Sequence, residues 1–195
     1  MTKRCYRYFG GLLSAQERWL NRMAARGWRL GEAGKLAYEF ESCQPGQFQY
    51  CVEFVGEKSP MDAEDYRIFL EDLGYRTFFK NINLNYAVGK VRWRPWAEPG
   101  GQIATKETTF DRELLIVEKE ADGEEFQLHT SFEDRANYFR RVQKPWLSIV
   151  LLCGILAAVC REPGLGVLAA MALVPVLLYQ VQITKNRRQA QSQEW

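Results

Sequence analysis

Histidine is almost missing from this chain: its 195 residues contain one, His129. A single imidazole cannot supply a His-rich metal centre, and the five cysteines have no paired short spacing to complete a tetrahedral site around it. An excess of one charge is missing too. Lys and Arg number 26 against 24 Asp and Glu, a net charge of +2, which argues against a protein that binds bulk polyanions such as nucleic acid directly. Phosphate-cradling motifs are also lacking. Gly10-Gly11 precedes an expected helix, but there is neither G-x-G-x-x-G nor a G-K-[ST] ending, so we read the pair as loop flexibility. Glu39, Glu41 and Glu53 are expected on the polar face of strands, where charged residues need no catalytic explanation. No catalytic constellation emerges, and the expectation is a protein that is not an enzyme and takes no cofactor or metal.

Long apolar runs are absent before Pro145 and dominate after it. Of the 50 charged residues, 44 precede Pro145. From Trp146 to Cys160 the only hydroxyl or charged side chain is Ser148, and over 165–183 the only strongly polar ones are Gln180 and Gln182. A helix apolar on every side belongs in hydrocarbon or in a large core, which 195 residues cannot build around two such helices. At 1.5 Å per residue the second stretch spans roughly 28 Å, close to a bilayer's hydrocarbon thickness, and the first about 22 Å. Arg161-Glu162-Pro163-Gly164 allows only a tight turn, so the two are expected to insert as an antiparallel hairpin. Arg140, Arg141 and Lys144 precede the hairpin and Lys185, Arg187 and Arg188 follow it, which by the positive-inside rule puts both ends in the cytoplasm. Trp146 and Tyr179 are expected at that interface, with the cations as further anchors facing anionic headgroups. Gly154 with Ala158 and Gly166 with Ala170 would let the two backbones approach. Pro175 should kink its helix. No Asp, Glu, Lys, Arg or His lies inside either span, so proton relays and ion pathways have no candidates. The first residues carry no apolar run, from which we expect no cleavable signal and about 144 residues in the cytosol. The cysteines agree: Cys5, Cys43 and Cys51 in a reducing compartment and Cys153 and Cys160 in the membrane do not resemble a disulfide framework.

In the cytoplasmic part, Ser14-Ala-Gln-Glu17 reads as a capping box opening a helix over 14–26 whose stripe is Trp19, Leu20, Met23 and Ala24, stopped by Gly27. Ser59-Pro60 opens a second helix with Tyr66, Phe69, Leu70 and Leu73 on one stripe, ending at Gly74. Between them the period changes to two. Leu36, Tyr38 and Phe40, then Phe48, Tyr50, Val52 and Phe54, predict a hairpin pairing Phe40 with Tyr50 around Gln44-Pro45-Gly46. Cys43 and Cys51 would then be too far apart to bridge. Further strands are expected over 4–9, 28–33, 75–81 and 84–93. The predicted class is α+β: a mainly antiparallel sheet with helices on one face, related to the ferredoxin-like plan, followed by the transmembrane hairpin. Leu115 and Val117 with Phe126 and Leu128 suggest a hairpin about Gly123, with a charged helix over 111–120 as the rival. Ser131 and Asp134 suggest a juxtamembrane helix carrying Phe132, Tyr138, Phe139 and Val142. The expected divisions are 1–99 for the α+β domain, 100–144 for the connector and juxtamembrane helix, 145–184 for the hairpin with spans 146–160 and 165–183, and 185–195 for a cytoplasmic tail.

Aromatic residues crowd the cytoplasmic part, 23 of 26. Core filling explains most of them. Trp93 and Trp96, at a strand end and in the Pro-rich segment after it, are the candidates for an exposed ligand or partner groove. The triplet Arg92-Trp93-Arg94 interleaves cation and ring, a weak single-strand signature in a near-neutral domain.

The run Glu17-Arg-Trp-Leu-Asn-Arg-Met-Ala-Ala-Arg-Gly-Trp-Arg-Leu30, followed by Tyr38-Glu-Phe-Glu-Ser-Cys-Gln-Pro-Gly-Gln-Phe-Gln-Tyr50 and Tyr66-Arg-Ile-Phe-Leu-Glu-Asp-Leu-Gly74, resembles the bacterial domain-of-unknown-function family 2812, DUF2812. The resemblance implies a bacterial inner-membrane protein with a cytoplasm-facing domain, of a kind often encoded beside PadR-type transcriptional regulators, and it supplies no catalytic residues. It also departs from the family pattern over 100–127, where the segment is longer. The leading expectation is a membrane-anchored binding or regulatory module that senses or sequesters a partner. The alternative is an auxiliary subunit of a membrane transporter or envelope complex. Expected partners are the lipid bilayer and a protein, either a PadR-type regulator or a membrane complex, with self-association through the hairpin.

Overall fold

The computed structural model describes the chain except residues 57, 89–90, 96, 98–102, 105–111, 125, 127, 129–131 and 194–195. It forms two compact units, Met1–Asn85 with Thr105–His129 and Tyr86–Ala104 with Thr130–Trp195. The class is α+β; among the described residues every strand pairing is antiparallel, and the strands are shared among three three-stranded sheets.

The first unit begins with β1 (Thr2–Tyr6), α1 (Leu13–Ala25), β2 (Trp28–Ala33) and β3 (Ala37–Ser42). These strands form one sheet in the order β1-β3-β2. Its inward residues Leu30, Tyr38 and Phe40 are fully buried, and Trp19 of α1 packs edge-on against Tyr38 (4.9 Å) and Phe40 (5.5 Å). The helix over 14–26 is present, but its capping box is not. Leu12 is the N-cap and makes no side-chain cap, so Ser14 already lies inside the first turn. Gly27 does end the helix, with φ of +79°.

The second sheet has the order β4-β9-β5, formed by β4 (Phe48–Phe54), β5 (Arg76–Lys80) and β9 (Leu114–Glu120). The expected 36–40/48–54 hairpin is therefore wrong: β3 pairs with β1 and β2, and Tyr50 of β4 faces Glu118 of β9. Two backbone bonds explain the divergence. Cys43 N donates to Gly27 O and Gly46 N to Ala24 O, so the connection is tied to the C-terminus of α1 instead of closing a turn between the strands. In place of the rival charged helix over 111–120, Leu114–Glu120 is strand, with Leu114, Leu115, Ile116 and Val117 buried, and residue 111 lies outside the described residues. Among the described residues Phe126 and Leu128 are not in a strand, and both pack on Val55, Leu70, Leu115 and Val117. Helix α2 (Pro60–Asp72) starts as predicted, Ser59 Oγ accepting from Asp62 N at 3.1 Å. Its stripe is narrower than expected: Leu70 is buried, whereas Phe69 and Leu73 are exposed.

In the second unit β6 (Tyr86–Val88), β7 (Val91–Trp93) and β8 (Ile103–Ala104) form a small sheet. The single strand expected over 84–93 is two strands, with Val88 opposite Val91. Helices α3 (Phe132–Cys160) and α4 (Pro163–Gln193) follow, joined at Arg161, whose φ is +55°. Both are long and apolar enough to cross a membrane, with mean hydropathies of 1.8 and 2.0 in windows only 11% and 17% buried. That exposure separates them from the core helices of a soluble protein. Each runs through its proline, Pro145 or Pro175. Their seam follows a heptad spacing: Ala136, Phe139, Gln143, Trp146, Val150, Cys153 and Ala157 on α3, and Leu165, Ala169, Ala172, Val176, Tyr179, Ile183 and Asn186 on α4, are buried or half-buried. Gly154, Ala158, Gly166 and Ala170 are exposed, and a Cβ added at either glycine would meet nothing within 4 Å. The expectation that they line the hairpin's own interface is overturned.

Candidate binding groove

Two of the sheet edges of the first unit, those of β4 and β2, are closed by side chains rather than by a further strand. The outer edge of β4 is taken up by α1 side chains: Asn21 Nδ2 donates to Tyr50 O and Tyr50 N to Asn21 Oδ1, both at 2.8 Å, and Val52 N donates to Glu17 Oε2 at 3.1 Å. The amide of Asn21 thus imitates a strand neighbour and satisfies backbone groups that would otherwise stand open. At β2, Leu30 N donates to Tyr50 Oη (2.7 Å) and Arg76 donates to Leu30 O (3.3 Å).

Between these edges lies a buried polar cluster. Glu118, 2% exposed, accepts from Arg29 Nε at 2.9 Å and from Tyr50 Oη at 2.6 Å, and pairs with Arg29 Nη2 at 2.7 Å. The Arg29 guanidinium also lies over the Phe48 ring, 4.2 Å from its centroid. The hydrogen bond to Glu118 holds the Arg29 guanidinium above its ordinary range, and burial, reinforced by the same carboxylate, pushes the Tyr50 hydroxyl far above its own. Each group in the cluster has its partner, which is the arrangement of a brace between two sheets. Glu53 is likewise no part of a solvated face: it is 2% exposed and accepts from Tyr66 Oη at 2.6 Å, while Glu39 pairs with Arg4 at the surface. Glu39, Glu41 and Glu53 are not brought together. Another buried carboxylate, Glu113, accepts from Asn85 Nδ2 (2.6 Å) and Ile82 N (3.3 Å), pinning the Asn81-Ile-Asn-Leu-Asn85 segment.

A groove of about 1020 Å³ runs along α1 from Leu12 to Ala25, and the β1–α1 connection, β4 and Phe126 complete its walls. The connection is shaped by Gly10 and Gly11, with φ of +54° and +75°, so that pair fixes a turn rather than loosening a loop. Beyond the turn, Phe9 packs on Trp19 at 5.5 Å. Three arginines overlook the groove. Arg18 Nε donates to Ser14 O and Arg22 Nε to Arg18 O, which anchors each guanidinium to the helix backbone while both side chains stay exposed. Arg7 lies over the Trp19 ring, 5.5 Å from its centroid. Among the described residues none of the three forms an ion pair, and Glu17, the one carboxylate of the lining, already accepts from Val52 N. Tyr8, Phe9, Phe48 and Phe126 contribute aromatic surface. The arrangement can hold an extended ligand that is anionic along one side and apolar along the other.

The sequence placed its candidate groove elsewhere. Trp93 is 48% exposed on β7, opposite Tyr86 and Ile103, and Trp96 lies outside the described residues, as does His129. The α1 groove had a signal that alternation and stripes do not capture: Glu17, Arg18, Asn21 and Arg22, polar pairs at four-residue spacing on the face opposite the core stripe. The membrane-flanking cations gather at one end of the antiparallel hairpin. Lys144, Lys185, Arg187 and Arg188 are exposed, Arg140, Arg141 and Trp146 half-buried, and Arg140 Nη1 donates to Asn137 Oδ1 at 2.9 Å. Deeper in the seam Gln143 Nε2 donates to Val176 O (2.9 Å) and Gln180 Oε1 (3.1 Å).

No curated protein and no solved structure matches the chain. A family model described as a protein of unknown function matches residues 13–151, from the start of α1 into the apolar part of α3, and on that match the chain belongs to the DUF2812 family.

Proposed function

We propose that this protein is a membrane-anchored binding module: the two-helix hairpin holds it in the bilayer with both ends in the cytoplasm, and the α1 groove captures an anionic, apolar-faced segment of a protein partner. The observation that carries this reading is the groove itself, where three arginines without ion-pair partners among the described residues overlook aromatic walls. Guanidinium groups attract a carboxylate-bearing segment at long range, and desolvation over the aromatic surface retains it. The neighbouring hydroxyl and carboxylate, Tyr50 and Glu118, are spent on each other, which favours binding over chemistry. Capture at the bilayer amounts to sequestration, and the family resemblance offers a PadR-type regulator as one such partner.

The test is fluorescence anisotropy of a labelled, 16-residue acidic amphipathic peptide titrated with the full chain in zwitterionic nanodiscs. Saturable binding is expected, weakened about tenfold or more, equivalent to about 1.4 kcal/mol, in the Arg18→Glu/Arg22→Glu variant. Binding that survives the double reversal unchanged, or no binding at about 100 μM, a level that would register even about −5 kcal/mol, overturns it.

A second reading, an auxiliary subunit of a membrane complex, is favoured by the outward Gly154/Ala158 and Gly166/Ala170 pairs, which offer close approach to a further helix. Cys160 is exposed and Cys153 half-buried in the seam, so crosslinking from Cys160 in native membranes tests it. A defined adduct with an integral membrane protein supports that reading, and failure to form one counts against it.

A further inference from the structure

We infer that the occupant of the α1 groove is helix α2 of a second copy of this chain, an inference that rests on the groove reading above and names its partner. The outward face of α2 is unusual for a surface helix. Met61, Phe69 and Leu73 are 74%, 53% and 56% exposed, and Ile68 is 45% exposed. At 100° per residue these four share one broad face with Asp62, Asp65 and Asp72, opposite the buried Ala63 and Leu70. All three aspartates are exposed, and none forms an ion pair among the described residues. The helix therefore presents apolar surface interleaved with unpaired negative charge, the complement of a groove with aromatic walls and unpaired arginines.

Size agrees with charge. Helix α2 has 13 residues, about 20 Å at 1.5 Å per residue, and the groove follows α1 over a comparable length, from Leu12 to Ala25. The helix cannot leave its own fold to fill its own groove. Leu70 is locked into the cluster of Val55, Leu115 and Val117, and Tyr66 is bound to Glu53 at 2.6 Å. The occupant has to come from another chain, and anchoring both copies in one bilayer raises their effective concentration so that a weak contact suffices. The contact joins two different surfaces. Reciprocal exchange closes it into a pair, and head-to-tail docking extends it into a row within the membrane.

A charge-swap experiment on the full chain reconstituted in zwitterionic liposomes tests this, with association read by energy transfer between donor- and acceptor-labelled copies across a series of protein-to-lipid ratios. Wild type is expected to self-associate, and Asp65→Lys/Asp72→Lys and Arg18→Glu/Arg22→Glu are each expected to weaken association at least tenfold. Mixing the two variants should restore it to within threefold of wild type, since the reversed helix of one then meets the reversed groove of the other. Restoration also shows that both variants are folded. Association unmoved by either reversal, or not restored on mixing, overturns the inference. A wild-type chain that stays monomeric yet binds the labelled acidic peptide overturns self-docking and leaves the groove reading standing; a chain that does neither overturns both.

Discussion

Removing the Glu118 carboxylate tests whether the two sheets of the first unit are braced through one buried cluster. Glu118→Ala leaves the Tyr50 hydroxyl without its acceptor and the Arg29 guanidinium without its counter-charge, in a site where the Glu118 side chain is 2% exposed. Breaking a buried ion pair by deleting one partner costs about 3–5 kcal/mol. The Arg29 side chain is 35% exposed and recovers part of its hydration, which pulls its share down, while the stranded Tyr50 hydroxyl adds about 1 kcal/mol. The expected loss is about 3 kcal/mol. For a urea slope of about 1.5 kcal/mol per M, that lowers the unfolding midpoint by about 2 M. Hydrogen exchange by mass spectrometry on peptides covering β4 and β9, taken through a urea series on the full chain, reads this unit apart from the two long apolar helices. Glu118→Gln, which keeps an acceptor oxygen, should lose less. Tyr50→Phe supplies the other corner of a double-mutant cycle: the 2.6 Å contact predicts that the double variant loses at least about 1 kcal/mol less than the sum of the singles. Additive losses, or a Glu118→Ala loss below about 1 kcal/mol, would refute the brace.

The glycine at the end of α1 should be harder to replace than the one in the next turn. Gly27→Ala puts a Cβ 2.9 Å from the Cys43 carbonyl at φ +79° and should cost about 3 kcal/mol, whereas Gly46→Ala at φ +75° meets nothing within 4 Å and should cost about 1, as compared by urea midpoints. The first unit should lose stability in alkali. Burial raises the Tyr38, Tyr50 and Tyr66 hydroxyls, aided at Tyr50 and Tyr66 by hydrogen-bonded carboxylates. Their folded states hold protons that the unfolded chain releases near pH 10, so stability is complete below about pH 10 and falls above it, and Tyr50→Phe should flatten that fall in a pH series of urea midpoints. In the hairpin, Gln143→Leu should cost under about 1 kcal/mol, because polar contacts between membrane helices average about 0.6 kcal/mol; hydrogen exchange on peptides covering α3 and α4 through a mild-SDS titration measures it.

Local chemistry was legible in the sequence wherever the deciding groups are neighbours. Gly27 and Gly74 end their helices with φ of +79° and +87°, and Ser59-Pro60 opens α2, because each depends on the conformation or reach of one or two residues. Ser14 misled because a capping box specifies a spacing but not which turn the helix begins on, and Leu12 takes the N-cap without a side chain that caps. Pairing was not legible. The partner of β4 lies 60 to 72 residues downstream, pairing Phe54 with Leu114 and Phe48 with Glu120, and β4 buries Cys51 and Glu53 as well as Tyr50 and Val52, so a strand covered on both faces was read as half-solvated. In the hairpin the outward side chains are as apolar as the inward ones, and the heptad seam appears only once burial separates Ala172, Val176, Tyr179 and Ile183 from their neighbours.

The groove follows from a residue that hydrophobic patterning treats as surface. Asn21 is polar, yet it holds α1 to the edge of β4 by two 2.8 Å bonds to Tyr50, while Trp19, Leu20 and Met23 fill the core on another side of the same helix. A helix lying flat on a sheet would bury one stripe and leave its flank in open solvent. Seated at the edge by Asn21 and Glu17, α1 keeps its next polar positions, Arg18 and Arg22, beside β4, and the turn built by Gly10 and Gly11 supplies the remaining wall. The side chains that satisfy the sheet edge and those that overlook the groove are consecutive residues, Glu17 with Arg18 and Asn21 with Arg22. Closing the edge and creating a basic binding surface are thus one structural act, and a substitution at Asn21 would be felt in the fold and in the groove together.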